Sequence, residues 1–118
     1  MSKDTNFREK LRQALESTAR VISDDFKIED KLNENKSSKK FDFFQIDNLN
    51  SKNDFIKARA ETDSKALKKK FSSESIFKKN LPSSSSCRSL YTITEKIRYE
   101  KLGSKMLKGI DKNLRDNY

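Results

Sequence analysis

Apolar residues recur every three or four positions at the start of the chain, which predicts an amphipathic helix from Asn6 to Ser23. Its predicted inward stripe consists of Phe7, Leu11, Ala14, Leu15, Thr18, Val21 and Ile22. Asn6 is a good N-cap residue, and Glu9 follows three positions later as in a capping box. Two aspartates at 24 and 25 end the pattern.

The apolar spacing then changes to alternation. Phe26 and Ile28 alternate with polar residues, and residues 41–46 do so again after the polar stretch 33–40. Alternation is typical of strands, so we predict a small β-hairpin between the first and second helices, with 33–40 as its mobile connection. Because two strands alone are marginally stable, this hairpin is expected to rest on the helices.

A second amphipathic helix is predicted from Asp54 to Phe71. Its buried face would carry Ile56, Ala60, Leu67 and Phe71. Asp63 falls in the middle of this face, where a carboxylate needs a polar partner. We favour an ion pair with Arg59, one turn earlier in the same helix, and the alternative is an ion pair with another helix or subunit.

A third and longest helix is predicted from Ser84 to Leu114. It follows a short turn or loop at 72–80, a break at Pro82, and residues 83–86, which are typical of a linker that ends in a helix cap.

Two apolar stripes run along this third helix. The first consists of Leu90, Ile93 and Ile97, and the second of Gly103, Leu107, Ile110 and Leu114. They point roughly 100° apart, so either the helix bends near Gly103 or its two halves contact different partners. We expect the first stripe to pack on the helix that carries Leu67, and the second to fold back on the first helix or to form a docking surface.

The sequence therefore predicts a mainly α fold in a single domain, residues 1–118, with three principal helices and the small β-hairpin. Its core is limited, since Leu, Ile, Val and Phe supply only 27 of the 118 residues, while 38% of all residues are charged. A chain of this composition can hold a few helices together but has little apolar surface left to order long polar segments.

The formal net charge is +9, which raises the possibility of a small basic helical nucleic-acid-binding protein. However, 20 of the 27 basic residues are lysines, and they are scattered over all segments. Nucleic-acid modules concentrate arginines and aromatic residues in one patch. Specific nucleic-acid binding is therefore not expected, and this class is kept as the alternative.

The residue inventory also limits the chemistry. There is no histidine, which is the commonest general base and transition-metal ligand, and the two glycines cannot form a phosphate-binding loop. The single cysteine, Cys87, suits a reducing cytoplasm. We expect no catalytic, cofactor or metal site in this chain.

Arg98, Glu100, Gly103, Met106, Gly109, Asn113 and Leu114 occur in an order known from one protein family. Upstream, the stretch from Arg59 to Lys70 (RAETDSKALKKK) and residues 18–24 (TARVISD) fit two further blocks of that family. All three resemble the N-terminal domain of the T subunit (CobT) of the aerobic cobaltochelatase, and they follow one another in the family's order. The histidine-containing block of the family is replaced here by residues 70–73.

The resemblance implies a subunit of a complex that inserts cobalt(II) into hydrogenobyrinic acid a,c-diamide during cobalamin biosynthesis, using ATP and magnesium. In the family, partners are an AAA+ ATPase subunit and a large corrin-binding subunit. The family's acidic linker and integrin-type domain are missing, so a fragment or a short form is expected.

By resemblance, this chain would be a non-catalytic scaffold or docking region. Its candidate partner or interdomain surface is Arg98, Glu100, Gly103, Met106, Gly109 and Asn113. The alternative for Gly103, Met106 and Leu114 is that they only pack the core.

Overall fold

A computed structural model describes residues 2–24 and 51–118. Within these ranges it contains five helices, α1 (Ser2–Ser23), α2 (Lys52–Phe71), α3 (Glu74–Lys79), α4 (Ser85–Met106) and α5 (Lys108–Asn117). None of the described residues lies in a strand, and the prediction of a mainly α-helical fold is confirmed. The predicted hairpin, with its connection 33–40, lies outside the described residues.

No helix in the described ranges combines the length and the apolar character needed to cross a membrane.

Helix α2 lies at the centre of the fold, because α1, α4 and α5 all pack against it. Its buried residues are Ala58, Ala60, Thr62, Asp63, Ser64, Ala66 and Leu67. Most of these side chains are small, which lets the neighbouring helices approach closely. A capping box between Ser51 and Asp54 starts the helix two residues before the predicted position.

Helices α1 and α2 run in the same direction. Phe7, near the start of α1, meets Phe55, near the start of α2, edge to face with ring centroids 5.7 Å apart. At the other end, Asp24 follows α1 with a left-handed φ of 56° and forms an ion pair with Lys70 in the last turn of α2. The two contacts fix the register of this parallel pair.

The buried face of α1 differs from the predicted stripe. Leu15, Ala19 and Ile22 are buried, whereas Phe7 and Val21 are more than half exposed. A helix that packs mainly on one neighbour hides only a narrow stripe. The small Ala19, which the apolar pattern did not single out, lies in the centre of that stripe and joins the core cluster of α2, α4 and α5.

The predicted third helix is in fact two helices. The break falls at Leu107, which is extended (φ −139°, ψ 125°), and its N–H still closes the last turn of α4 on the Gly103 carbonyl. The expected bend thus lies four residues beyond Gly103. Ser84 occupies the N-cap position of α4, although its side chain makes no capping hydrogen bond there.

The first apolar stripe of α4 does not pack on α2, so that prediction is wrong. Leu90, Ile93 and Ile97 are 66%, 55% and 62% exposed. The side of α4 that is buried carries Tyr99, Glu100 and Gly103 instead. A glutamate and a glycine carry no apolar signal, so the sequence pattern pointed to the wrong face.

The second stripe is divided. Ile110 and Leu114 are buried in one cluster with Ala19 and Ile22 of α1, so this part of the chain folds back as expected. Leu107, at the break, is exposed.

Candidate functional site

Asp63 is held by Asn113, not by the predicted ion pair. The Asn113 amide Nδ2 donates a 2.8 Å hydrogen bond to Oδ2 of Asp63, which joins α2 to α5. Asp63 is buried, whereas Arg59 is exposed and acts only as a nearby charge. Burial raises the pKa of the Asp63 carboxyl, and the Asn113 hydrogen bond and the Arg59 charge oppose that rise.

The reason for this correction lies in the tertiary structure. A buried carboxylate needs a hydrogen-bond donor, but the donor can be an amide as well as a cation. The residue at i−4 points away from the core here, and the donor comes from 50 residues further along the chain. Helix periodicity placed Asp63 on the buried face correctly, yet it could not identify a partner on another helix.

Glu100 joins three segments. Its buried carboxylate accepts hydrogen bonds from Ser64 Oγ on α2 and from the Tyr118 hydroxyl after α5, each 2.6 Å long. Lys96, one turn earlier in α4, lies 3.9 Å from the same carboxylate. Both oxygens of this buried carboxylate therefore accept a hydrogen bond.

Tyr118 has an exposed ring but a hydroxyl that lies against Glu100. Two effects raise the pKa of Tyr118 to about 12. The larger is the loss of hydration around the hydroxyl, and the next is its hydrogen bond to the Glu100 carboxylate. The phenol therefore remains a hydrogen-bond donor well into the alkaline range.

Gly103 lets α4 approach α2 closely. A Cβ atom at this position would lie 2.9 Å from Cγ of Leu67 and still closer to both Cδ atoms. Leu67 is fully buried and is the largest such side chain among the described residues. Gly103 is thus required for packing, which fits the core alternative considered for it.

Arg98 ties the middle of α4 to the end of α2. Its guanidinium donates to both oxygens of Glu95 and, through Nη2 at 2.7 Å, to the carbonyl oxygen of Phe71. That carbonyl belongs to the last residue of α2, where helix carbonyls lack an intrahelical donor. The Arg98 hydrogen bonds also hold the pKa of Glu95 below its usual range.

A groove of about 480 Å³ lies between α1, α2 and α5. Its walls include Val21, Ile22 and Ile110, and the Asp63–Asn113 pair lines it as well. The groove is mainly apolar, and Ser17, Thr18 and Lys108 add polar groups to its lining beside the carboxylate–amide pair.

The six residues of the candidate partner surface do not share one surface. Glu100 and Gly103 are buried, and Asn113 is half-buried against Asp63. Only Arg98, Met106 and Gly109 are exposed. These positions therefore lie on several sides of the α4–α5 unit, and three of them mainly hold α4 and α5 to α2.

Sequence reasoning missed two members of the polar network, Ser64 and Tyr118. Ser64 lies next to Asp63 in a run of small residues, which is a weak sign of close helix packing. Tyr118 had no recognisable signal, because its role depends on α5 returning past Glu100.

The described ranges contain no group of three or more His, Cys, Asp or Glu residues arranged to hold a metal ion. Cys87 is exposed and is not in a disulfide.

Comparison with known proteins gives one informative match. The family model described as "Cobalamin biosynthesis protein CobT" matches residues 5–118. Searches of curated proteins and of solved structures gave no match. The matched range contains the three blocks that meet in the structure, on α1, α2 and α4–α5. Because the match covers nearly the whole chain, the protein belongs to the CobT family of cobalamin biosynthesis proteins.

Proposed function

We propose that this chain is a non-catalytic scaffold and docking region of the T subunit of an ATP-dependent cobaltochelatase. The complex would insert cobalt(II) into hydrogenobyrinic acid a,c-diamide, with ATP and magnesium used by its other parts. The family match over residues 5–118 is the observation that carries this proposal.

The geometry supports a scaffold rather than a reaction centre. The polar residues that a catalytic reading would single out are engaged in contacts between helices. Asp63 is bound by Asn113, and Glu100 is bound by Ser64 and Tyr118. These pairs fix where α4 and α5 lie on α2, which is the task of a rigid support for partners.

The partners proposed from the family are an AAA+ ATPase subunit and a large corrin-binding subunit, acting together in the cytoplasm. The test is size-exclusion chromatography of the full chain with each purified subunit from the same source, with and without ATP and magnesium. Co-elution with the ATPase is expected. Failure to form a complex with either subunit would overturn the proposal.

A second measurement tests whether the isolated chain hydrolyses ATP or binds cobalt(II). Alone, the chain is expected to hydrolyse no ATP above background and to bind no cobalt(II) tightly. Titration calorimetry of tag-free protein that reveals a saturable micromolar cobalt site would show that the chain does more than support its partners.

Nucleic-acid binding is the alternative function, and the net charge of +9 is the observation that favours it. Binding that comes only from scattered lysines should be weak, non-specific and lost at moderate salt. Duplex anisotropy at low and physiological salt separates the cases, since sequence-selective binding that survives physiological salt would support the alternative.

A further inference from the structure

The first half of α4 projects beyond the core. The buried residues of α4 are Tyr99, Glu100 and Gly103, all in its second half. Residues 85–98 are exposed or half-buried. Their contacts with the rest of the fold include a ring contact between Tyr91 and Phe77 of α3, with centroids 5.0 Å apart, and the hydrogen bond from Arg98 to the Phe71 carbonyl. A helix of this length is only marginally stable by itself in water, so a partner along this half would stabilise it.

Leu90, Ile93 and Ile97 form the exposed apolar stripe of this half. Their spacing of three and four residues aligns them along one side of the helix, and all are more than half exposed. Such a row of aliphatic side chains is the surface by which one helix packs into the grooves of another.

The charges around the stripe indicate what kind of helix would fit. The exposed charged residues of α4 are all basic, namely Arg88, Lys96, Arg98, Lys101 and Lys105. Its two acidic residues face inward, Glu95 being bound by Arg98 and Glu100 being buried. Lys101 lies one turn after Ile97, on the same side of the helix, so the stripe continues directly into positive charge.

We propose that Leu90, Ile93 and Ile97 with Lys101 form a docking site for an acidic amphipathic helix of a partner protein. This inference rests on the proposed function, since it specifies the chemistry of the partner's docking segment. The partner helix would place aliphatic residues on the stripe and carboxylates opposite the lysines.

A second copy of this chain does not fit the same face. Pairing α4 with itself would bring the exposed basic residues of one copy towards those of the other, with no exposed carboxylate on α4 to offset the repulsion. With an anionic partner the electrostatic interaction is attractive. The lysines then raise the rate at which the partner associates and also favour acidic partners over basic ones.

The test uses the full chain and a synthetic acidic amphipathic peptide with Leu and Ile at the a and d heptad positions and Glu at e and g. A peptide of the same composition in scrambled order carries the same charge and serves as the control. Anisotropy of the labelled peptides is expected to show that the amphipathic peptide binds about tenfold more tightly or better. Equal binding of the two peptides, or no binding of either, would overturn the proposal.

Variants locate the site. Ile93→Ser with Ile97→Ser is expected to weaken peptide binding about tenfold or more, and Lys101→Glu to weaken it as well. Ile76→Ser on α3 is the matched control, because Ile76 is 62% exposed, the same as Ile97, and its substitution should leave affinity within about twofold. Unchanged affinity in the double variant would refute the site, with circular dichroism confirming that each variant is folded.

Two further arms separate the neighbouring explanations. Binding of the wild type to vesicles of anionic lipid, lost in the double variant while the acidic peptide fails to bind, would assign the stripe to a membrane surface. Equal co-elution of the ATPase subunit with the wild type and the double variant would leave the proposed function standing and refute this docking site in the complex. Loss of co-elution in the double variant alone supports both.

Discussion

Replacing Gly103 with alanine tests whether the fold depends on the close approach of α4 to α2. Alanine is the better helix former, by about 1 kcal/mol. Its Cβ would meet Leu67, however, within 2.9 Å of Cγ and closer to both Cδ atoms. Leu67 is fully buried, and overpacking of a buried side chain costs about 1–3 kcal/mol.

The two effects oppose each other, and the steric one is expected to win. Gly103→Ala should therefore lower the free energy of unfolding by up to about 2 kcal/mol, measured by urea denaturation. Gly109→Ala is the matched control, since a Cβ there has no neighbour within 4 Å and the residue is also helical. That variant should keep its stability or gain up to about 1 kcal/mol.

A double-mutant cycle identifies the cause. Leu67→Ala alone should cost about 2–5 kcal/mol, because it empties a fully buried site. Adding Gly103→Ala to it should then be neutral or stabilising, since the clash has been removed. If Gly103→Ala is as stable as Gly109→Ala in the wild-type background, α4 does not approach α2 as closely as described, and the packing argument fails.

Three other substitutions test the polar network and the break between α4 and α5. Asp63→Asn should raise the thermal midpoint of unfolding at neutral pH, because burial raises the pKa of Asp63 and so makes its charged form unfavourable in the folded state. The gain should disappear as the pH falls through the folded pKa towards 3.8, where Asp63 becomes neutral. A lower midpoint for the variant at neutral pH would contradict this. Tyr118→Phe removes the hydrogen bond to Glu100 and should lower the urea midpoint of unfolding. Since folding raises the pKa of Tyr118 from 10 to about 12, the difference between wild type and variant should be complete below pH 10 and should fade as the pH approaches 12. Ile110→Ser should destabilise the fold strongly, by about 2–5 kcal/mol, whereas Leu107→Ser at the exposed break should change it little; equal effects would place Leu107 in the core.

The sequence was most informative where one helix buries one apolar stripe. It located α1 and α2, and it placed Asp63 on a buried face, because those properties follow from helical periodicity alone. It also indicated that Ile110 and Leu114 leave the line of the preceding helix, since a change in the direction of the stripe is visible in the spacing. The break itself was misplaced at Gly103, because a glycine can serve close packing as well as bending.

The failures share a physical cause. On α4 the buried side is formed by a tyrosine, a glutamate and a glycine, while its aliphatic residues face outward. The spacing of apolar residues along α4 favours the outward side as the buried one. That spacing looks the same for a stripe that packs inside the domain and for a stripe that remains exposed on its surface. For the same reason it assigned Asp63 to Arg59, the only donor within reach along the helix, when the actual donor lies on α5.

The blocks that carry the family resemblance are the parts of the chain that meet in the interior. Residues 18–24 bring Ala19 and Ile22 into the core, 59–70 supply the small-residue surface of α2, and 98–114 supply Gly103 and the buried end of α5. Residues bound into these contacts have little freedom to meet a partner without loosening the fold. Residues 85–94 of α4 lie outside the blocks, and none of them is buried, so substitutions there should leave the packing of α1, α2 and α5 undisturbed. The structure therefore separates an interior, where the three blocks meet, from the projecting first half of α4, where we propose that a partner helix binds.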